Sequence, residues 1–392
     1  MVGSTAAVTL TDEQQRAVDL CIARLRKGVP LTTLFGPAGT GKTTLARFIA
    51  EGLGGYSNVA FAAPTGKAAL VLRNKGLEFA QTLHSLIYVP IGASAKELKR
   101  LQDLEKNTND PNRKAALQER IDTLIELLKT PKFVLREKKE LAGLRAVILD
   151  ESSMVGGELL DDLMSFDIPV LALGDPAQLP PVKASSPLAV EGYKPTVMLS
   201  TGHRFADDSV IHWFATRVRT MGAWSVNEWR GGSGLNLVPT FALPDEQIPT
   251  LLQYDQVICG TNATRQWLNT KMRASLGLPA DELDDNDRLV ALRNDPEHGL
   301  INGEQYTVTE LAGMVKESDL VRIEGFVTKR DIPLFAFAYA ITAHKAQGSE
   351  WPDIVIFDQS KAFGAQADKW LYTAITRAAD SFVLLRQSRQ GV

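Results

Sequence analysis

Cysteine is nearly absent, with two residues in a chain of 392. So few thiols exclude a disulfide-stapled secreted scaffold. Cys21 in a helical pattern and Cys259 in an apolar strand pattern instead suit buried thiols in a reducing compartment. Histidine is also scarce: the five present have no metal-ligand spacing, so no zinc is expected. No apolar run is long enough to span a bilayer, and the N-terminus lacks the charged start and apolar core of a signal peptide. The expectation is a soluble, cytoplasmic protein with no membrane partner. Charge of one sign is missing too, since the formal net charge is -3. Composition alone therefore does not suggest nucleic acid, although a basic groove can coexist with an acidic exterior. Solenoid repeats and low-complexity tails are absent from the sequence.

Hydrophobic content of 44% and charged content of 23% are those of a globular protein, and 392 residues exceed one compact core. Short runs that are apolar on both faces recur at Leu31–Phe35, Val59–Ala63, Ala146–Leu149, Val170–Leu173, Gln256–Cys259, Ile354–Phe357 and Phe382–Leu385. Such runs suit central strands of a parallel sheet covered by helices. Helical patterns at Lys42–Leu53, Val155–Met164 and Ala263–Leu276 alternate with them, which predicts an α/β fold. The reading divides the chain into residues 1–195 and 196–392, with insertions at about 88–140 and about 288–334.

The first insertion turns charged and helical from Lys96 to Lys129, with Leu117, Ile121, Leu124, Ile125 and Leu128 on one face. Asp110-Pro111 reads as an N-cap followed by proline at the first helical position, so a helical hairpin is predicted. In the second insertion, β-like runs at Gln305–Val308 and Leu320–Ile323 predict a small β module.

Gly36-Pro37-Ala38-Gly39-Thr40-Gly41-Lys42-Thr43 follows a strand and opens a helix. A P-loop needs small residues whose amides curl around phosphate, a lysine for the outer phosphates and a hydroxyl for Mg²⁺. The helix N-terminus adds partial positive charge. Val147-Ile148-Leu149-Asp150-Glu151 has the form of a Walker B strand. Asp150 is expected at the metal, and Glu151 as the base that orients and deprotonates water. Leu173-Gly174-Asp175-Pro176-Ala177-Gln178 follows another apolar strand, where Gln178 can meet a γ-phosphate or merely sit in a proline-rich turn.

The ordered set GPAGTGKT, APTGKAA, TLHS, LDESSM, LGDPAQLPPV, TAHKAQGSE and YTAITRA, running from Leu10 to about Leu385, resembles superfamily 1B helicases of the RecD/Dda type, especially compact Dda-like ones. The resemblance implies two RecA-like P-loop cores in tandem, ATP and Mg²⁺ in the cleft between them, and 5′-to-3′ travel on single-stranded DNA. Thr43 and Asp150 would hold the metal. Gly36 to Thr44 would cradle phosphate, including Thr40, Lys42 and Thr44. Glu151 would be the base, Gln178 the γ-phosphate sensor, and Arg204 and Arg377 the arginine fingers. Gly348 would lie near the γ-phosphate and Glu350 towards the ribose. Arg377 could alternatively offset a helix dipole, and Arg204 could be a surface charge. Gln14 would read adenine by family position, yet Thr11-x-x-Gln14 is also a capping box.

For the nucleic acid, the family positions are Pro64, Thr65, Lys67, Thr82, His84, Asn262, Thr342, His344, Lys345 and Gln347. Thr65 and Thr82 could equally be helix caps. The expected substrates are single-stranded DNA and forked or tailed duplexes. Replication or recombination proteins are the expected partners, and the chain is expected to work as a monomer in the cytoplasm of a bacterium or phage-infected cell. Relatives carry a wedge β-hairpin between the TLHS and Asp-Glu motifs. Here that interval holds the helical hairpin and then Phe133, which makes the insertion the expected fork element. The second insertion resembles the family's SH3-like module. Rival readings are a translocase without strong unwinding, an oligomeric AAA+-like ATPase acting on protein, and a nucleotide-gated binding module.

Overall fold

The computed structural model describes residues 9–91, 95–108, 110–129, 132–181, 185–190, 192–200, 202, 209–223, 225, 237–238, 245–278, 283–294, 299–312 and 335–387. Its first half carries strands β1 (Leu31–Phe35), β2 (Val59–Ala63), β3 (Gln81–Thr82), β4 (Tyr88–Ile91), β5 (Lys132–Leu135), β6 (Ala146–Leu149), β7 (Val170–Gly174) and β8 (Val197–Met198). Six of these form one parallel sheet in the order β3-β2-β6-β7-β1-β8. Alternate residues of β1, β6 and β7 enter two separate cores: Leu34, Ile148 and Leu171 on one face, Phe35, Leu149 and Val170 on the other. A strand buried on both faces must be apolar throughout, which is why these segments stood out in the sequence.

Three helices fix the first core around its phosphate end. α1 (Asp12–Arg26) starts with a complete capping box between Thr11 and Gln14. α2 (Lys42–Gly52) grows from the P-loop, and α3 (Gly66–Asn74) begins after the Thr65 cap. β8 extends the sheet beyond the expected division at residue 195. It pairs with β1, and Leu199 behind it packs into the same core as Leu34 and Ile49, so hydrophobic burial carries the first core past that point.

In the second half come β9 (Leu237–Val238), β10 (Gln256–Cys259), β11 (Arg288–Ala291), β12 (Gln305–Thr307), β13 (Phe335–Phe337), β14 (Ala340–Thr342), β15 (Trp351–Phe357) and β16 (Ala378–Gln387). The second sheet, again parallel, runs β14-β10-β15-β16-β9. The tandem α/β class expected from the alternation is therefore the observed one. A separate antiparallel sheet, β12-β11-β13, is the small β module, and it also recruits Phe335–Phe337. The expected strand at Leu320–Ile323 lies outside the described residues.

Between the TLHS and Asp-Glu motifs, β4 and β5 pair antiparallel, Tyr88 opposite Leu135 and Ile91 opposite Lys132. After α4 (Leu83–Ile87), this ribbon carries the helical hairpin, α5 (Ala95–Lys106) and α6 (Pro111–Lys129). The Asp110 carboxylate accepts from the Asn112 amide at 3.0 Å, the N-cap contact expected before Pro111. Leu101, Ile121 and Leu124 make the hairpin's own small core. The ribbon itself was not expected, because β4 is a four-residue strand whose partner among the described residues lies beyond forty intervening residues. Both cysteines are buried and unpaired, and burial pushes each thiol up to about 12. No described helix is long and apolar enough to cross a membrane.

Candidate nucleotide cleft and strand-binding edge

In a parallel sheet every carboxyl end lies on one edge, so the motifs that follow the strands converge. After β1 the P-loop turns with Gly39 at φ 83 and Gly41 at φ 82, a left-handed conformation open to glycine at little cost. The Lys42 ammonium donates to the carbonyls of Gly36 at 2.7 Å and Pro37 at 2.9 Å. After β6, the Asp150 carboxylate accepts from the Thr43 hydroxyl at 3.1 Å. Glu151 takes a left-handed backbone, φ 50 and ψ 38, which is rare for a residue with a side chain. Its carboxyl is raised above the ordinary value, first by burial and then by Asp150, while Arg377 and Lys42 pull it down.

One cleft is lined by Ala38, Gly39, Gly41, Lys42, Thr43, Thr44, Asp150, Glu151 and Gln178 from the first core. Gly348, Glu350 and Arg377 line it from the second. Arg377 follows the helix Ala367–Ile375, and its buried guanidinium donates to Thr373 O at 3.0 Å, Ser349 O at 3.3 Å and the Thr376 hydroxyl at 3.1 Å. It thus satisfies a helix-end carbonyl while lining the cleft. Gln178 is buried, and its Oε1 atom has no hydrogen-bond partner among the described residues. A buried orphan carbonyl oxygen is costly, and it can be met by a donor such as a water, not by a phosphate oxygen. A glycine-rich loop, a lysine and a hydroxyl–carboxylate pair together match the donor set a nucleotide triphosphate and Mg²⁺ need.

Gln14 also serves two ends. Its Oε1 accepts from Thr11 N at 3.1 Å in the capping box, and its Nε2 donates to Thr40 O of the P-loop at 3.2 Å. Arg204 lies outside the described residues.

The strand-facing candidates sit at the carboxyl ends of β2, β3, β10 and β14. Thr65, Thr82 and Thr342 all cap the helices that follow, accepting from Ala68 N, Ser85 N and Lys345 N. A capping hydroxyl uses a lone pair and keeps its proton, so it can still donate to a phosphate. Pro64 is half-buried beside Thr65, and Asn262 is exposed at the first turn of the helix Asn262–Ser275. The exposed His84 packs its ring 4.4 Å from both Tyr88 and Phe133, which ties the TLHS turn to the ribbon. His344 lies 6.0 Å from the Phe363 ring, and burial pushes its imidazole down.

Three candidates are engaged within the protein. Lys67 lies 5.4 Å from the Trp351 ring of the second core, and burial pushes its ammonium down to about 8. Gln347 is buried and donates to Leu179 O at 3.0 Å, so it faces the seam between the cores. Lys345 donates to Asn302 of the β module at 2.9 Å. Sequence reasoning missed Gln359, whose Oε1 accepts from Gly260 N at 2.7 Å and Thr261 N at 3.2 Å, organising the end of β10. Nothing in its local sequence marks it, because both partners lie about a hundred residues away.

A family profile for the AAA domain matches residues 9–221. The chain belongs to the AAA-domain family. A second profile, the UvrD-like helicase C-terminal domain, matches residues 337–385, and the chain is similar to superfamily 1B helicases of the RecD/Dda type. This AAA-domain protein is 27% identical to the ATP-dependent RecD2 DNA helicase of Deinococcus radiodurans, over 95% of this chain and 48% of that protein. It is 28% identical to the ATP-dependent DNA helicase dda of Enterobacteria phage T4, over 44% of this chain and 33% of that one. The chain therefore spans less than half the length of these curated relatives. In fold it is similar to the crystal structure of Pif1 helicase from Candida albicans, with TM-score 0.53 and 18% identity, covering 97% of this chain and 95% of that one. Bacteroides Pif1 bound to ssDNA gives the same TM-score and identity over 96% and 92%. The tandem arrangement of RecA-like cores follows from that likeness.

Proposed function

We propose that this chain is an ATP-dependent DNA helicase that translocates on single-stranded DNA in the 5′-to-3′ direction. The observation that carries the reading is the meeting of Arg377 from the second core with Lys42, Asp150 and Glu151 from the first in one cleft. An ATPase whose site is completed across two cores couples its nucleotide state to their separation. Glu151, with its raised carboxyl and strained backbone, orients and deprotonates water. Lys42 and the P-loop amides hold phosphate oxygens, Gln178 meets the γ-phosphate, and Arg377 places positive charge where negative charge develops. Gly348 and Glu350 border the nucleotide from the second core. Thr43 and Asp150 would hold Mg²⁺, whose charge offsets that of the phosphate oxygens.

Single-stranded DNA crosses the carboxyl edges of both sheets, gripped by Pro64, Thr65, Thr82, His84, Asn262, Thr342 and His344. Lys67, Lys345 and Gln347 act from the seam behind that path. The insertion, meaning the helical hairpin on its β4/β5 ribbon with Phe133, takes the role of the wedge. Relatives named as DNA helicases and a fold neighbour bound to ssDNA support this reading. So does the β ribbon in the interval where relatives carry their wedge.

The deciding experiment is strand displacement on duplexes with either a 5′ or a 3′ single-stranded tail, with ATP and with Glu151→Gln as control. Displacement of the 5′-tailed duplex alone is expected, and it should vanish in the control. Equal displacement of both tails would overturn the polarity. ATP turnover without displacement of either would favour a translocase.

A further inference from the structure

Two hydrogen bonds meet at a hydroxyl that the roles above leave unused. Tyr372 lies on the helix Ala367–Ile375 of the second core and is almost fully buried, as is Asp175 of the first. The Tyr372 hydroxyl donates to the Asp175 carboxylate at 2.6 Å and accepts from the Ala38 amide of the P-loop at 3.2 Å. Asp175 in turn organises its own loop. Its other carboxylate oxygen accepts from Ala177 N at 3.0 Å, and its carbonyl accepts from Gln178 N at 3.1 Å. One hydroxyl of the second core thus joins the two loops of the first core that face the nucleotide. Next to it, the Leu179 amide donates to the Thr373 hydroxyl at 3.0 Å, and Leu179 O takes Gln347 at 3.0 Å. These contacts together make a polar seam between the two cores.

We propose that Tyr372 is a positioning residue of the ATPase cycle: held by Asp175, its hydroxyl sets the P-loop and the Gln178 loop in register with the helix that leads to Arg377. Packing alone does not explain the hydroxyl. A buried phenol in an apolar core would be replaced by phenylalanine with little loss, whereas here both its donor and its acceptor functions are engaged across the seam. Burial first, and then Asp175, raise the phenol well above its ordinary value, so it remains a donor throughout the working pH range. Asp175 accepts from two elements at once, which makes it the fixed point of the relay. Without the hydroxyl, the carboxylate and the Ala38 amide lose their shared partner, and Gln178 loses its fixed distance from the P-loop. Binding, which uses the remaining loop amides and Lys42, changes less than turnover.

The inference rests on the ATPase reading, and its test separates the two. ATP turnover is measured in the full chain for wild type, Tyr372→Phe, Asp175→Asn and the double variant, with and without single-stranded DNA, alongside thermal melting. Tyr372→Phe should lower kcat about tenfold, the size expected for a lost hydrogen bond to a charged group, with KM for ATP within about twofold. The double variant should be no slower than the slower single one, because both act through one contact. A kcat within twofold of wild type, or multiplying losses in the double variant, overturns the proposal. So does a melting temperature that falls in step with activity. Wild type that hydrolyses ATP but ignores DNA would sink the helicase reading and leave the Tyr372 comparison intact.

Discussion

Arg377 is buried with its guanidinium held by three acceptors, whereas Phe133, Val134 and Leu135 on the ribbon stand 42%, 44% and 39% exposed. The cleft and the ribbon-borne hairpin are thus held in opposite ways. In the cleft, side chains from distant segments fix one another through buried polar contacts. A single change there disturbs several partners. In the hairpin, α5 and α6 close over a core of three buried residues and return on a two-stranded ribbon. It contributes no strand to either of the two large sheets. What differs is the source of precision: shared polar contacts in one region, local apolar packing in the other.

If that contrast holds, the largest effect belongs to the cleft. Arg377→Ala should lower the ATPase kcat by about 10³-fold or more, the scale of an arginine finger. Arg377→Lys should recover little of it, since a compact ammonium cannot reach three divergent acceptors. Steady-state turnover checks both, and a fully active lysine variant would reduce Arg377 to a point charge. Next in size is deletion of Glu97–Lys129. ATPase should stay within about twofold of wild type while unwinding falls about tenfold, because the hairpin core is its own. Unwinding unchanged in a strand-displacement assay would remove the hairpin from the fork, and a collapse of ATPase would show that it is not modular.

The smallest effect lies at the seam. Lys67 is pushed down from 10.5 to about 8, so its charge is largely present at pH 7 and is lost as pH rises through 8. Single-stranded DNA affinity should therefore fall a few-fold between pH 7 and pH 9, and the slope of log affinity against log salt should shrink by up to about one. Lys67→Met should remove that pH dependence, as measured by fluorescence anisotropy. A wild-type profile in the variant would confine Lys67 to packing on Trp351.

Legibility followed the same divide. The central strands and the P-loop were readable because burial on both faces forces continuous apolar runs, and because phosphate binding needs glycines in a fixed order. Gln14 was readable as cap or as site residue, and the structure gives it a capping bond and a P-loop bond together. β4 was not readable, since four residues carry little pattern and their partner is distant.

Residue order by itself determined the α/β alternation, the phosphate loop, the paired acids after β6 and the helical hairpin, because each is written in local periodicity or in a contiguous motif. Tertiary structure alone decided that Gln347 turns into the seam, and that Tyr372 joins Ala38 to Asp175 across 334 and 197 positions of chain. Such contacts depend on how two separately folded sheets meet, and a side chain's direction across a seam leaves no trace in the spacing of its neighbours.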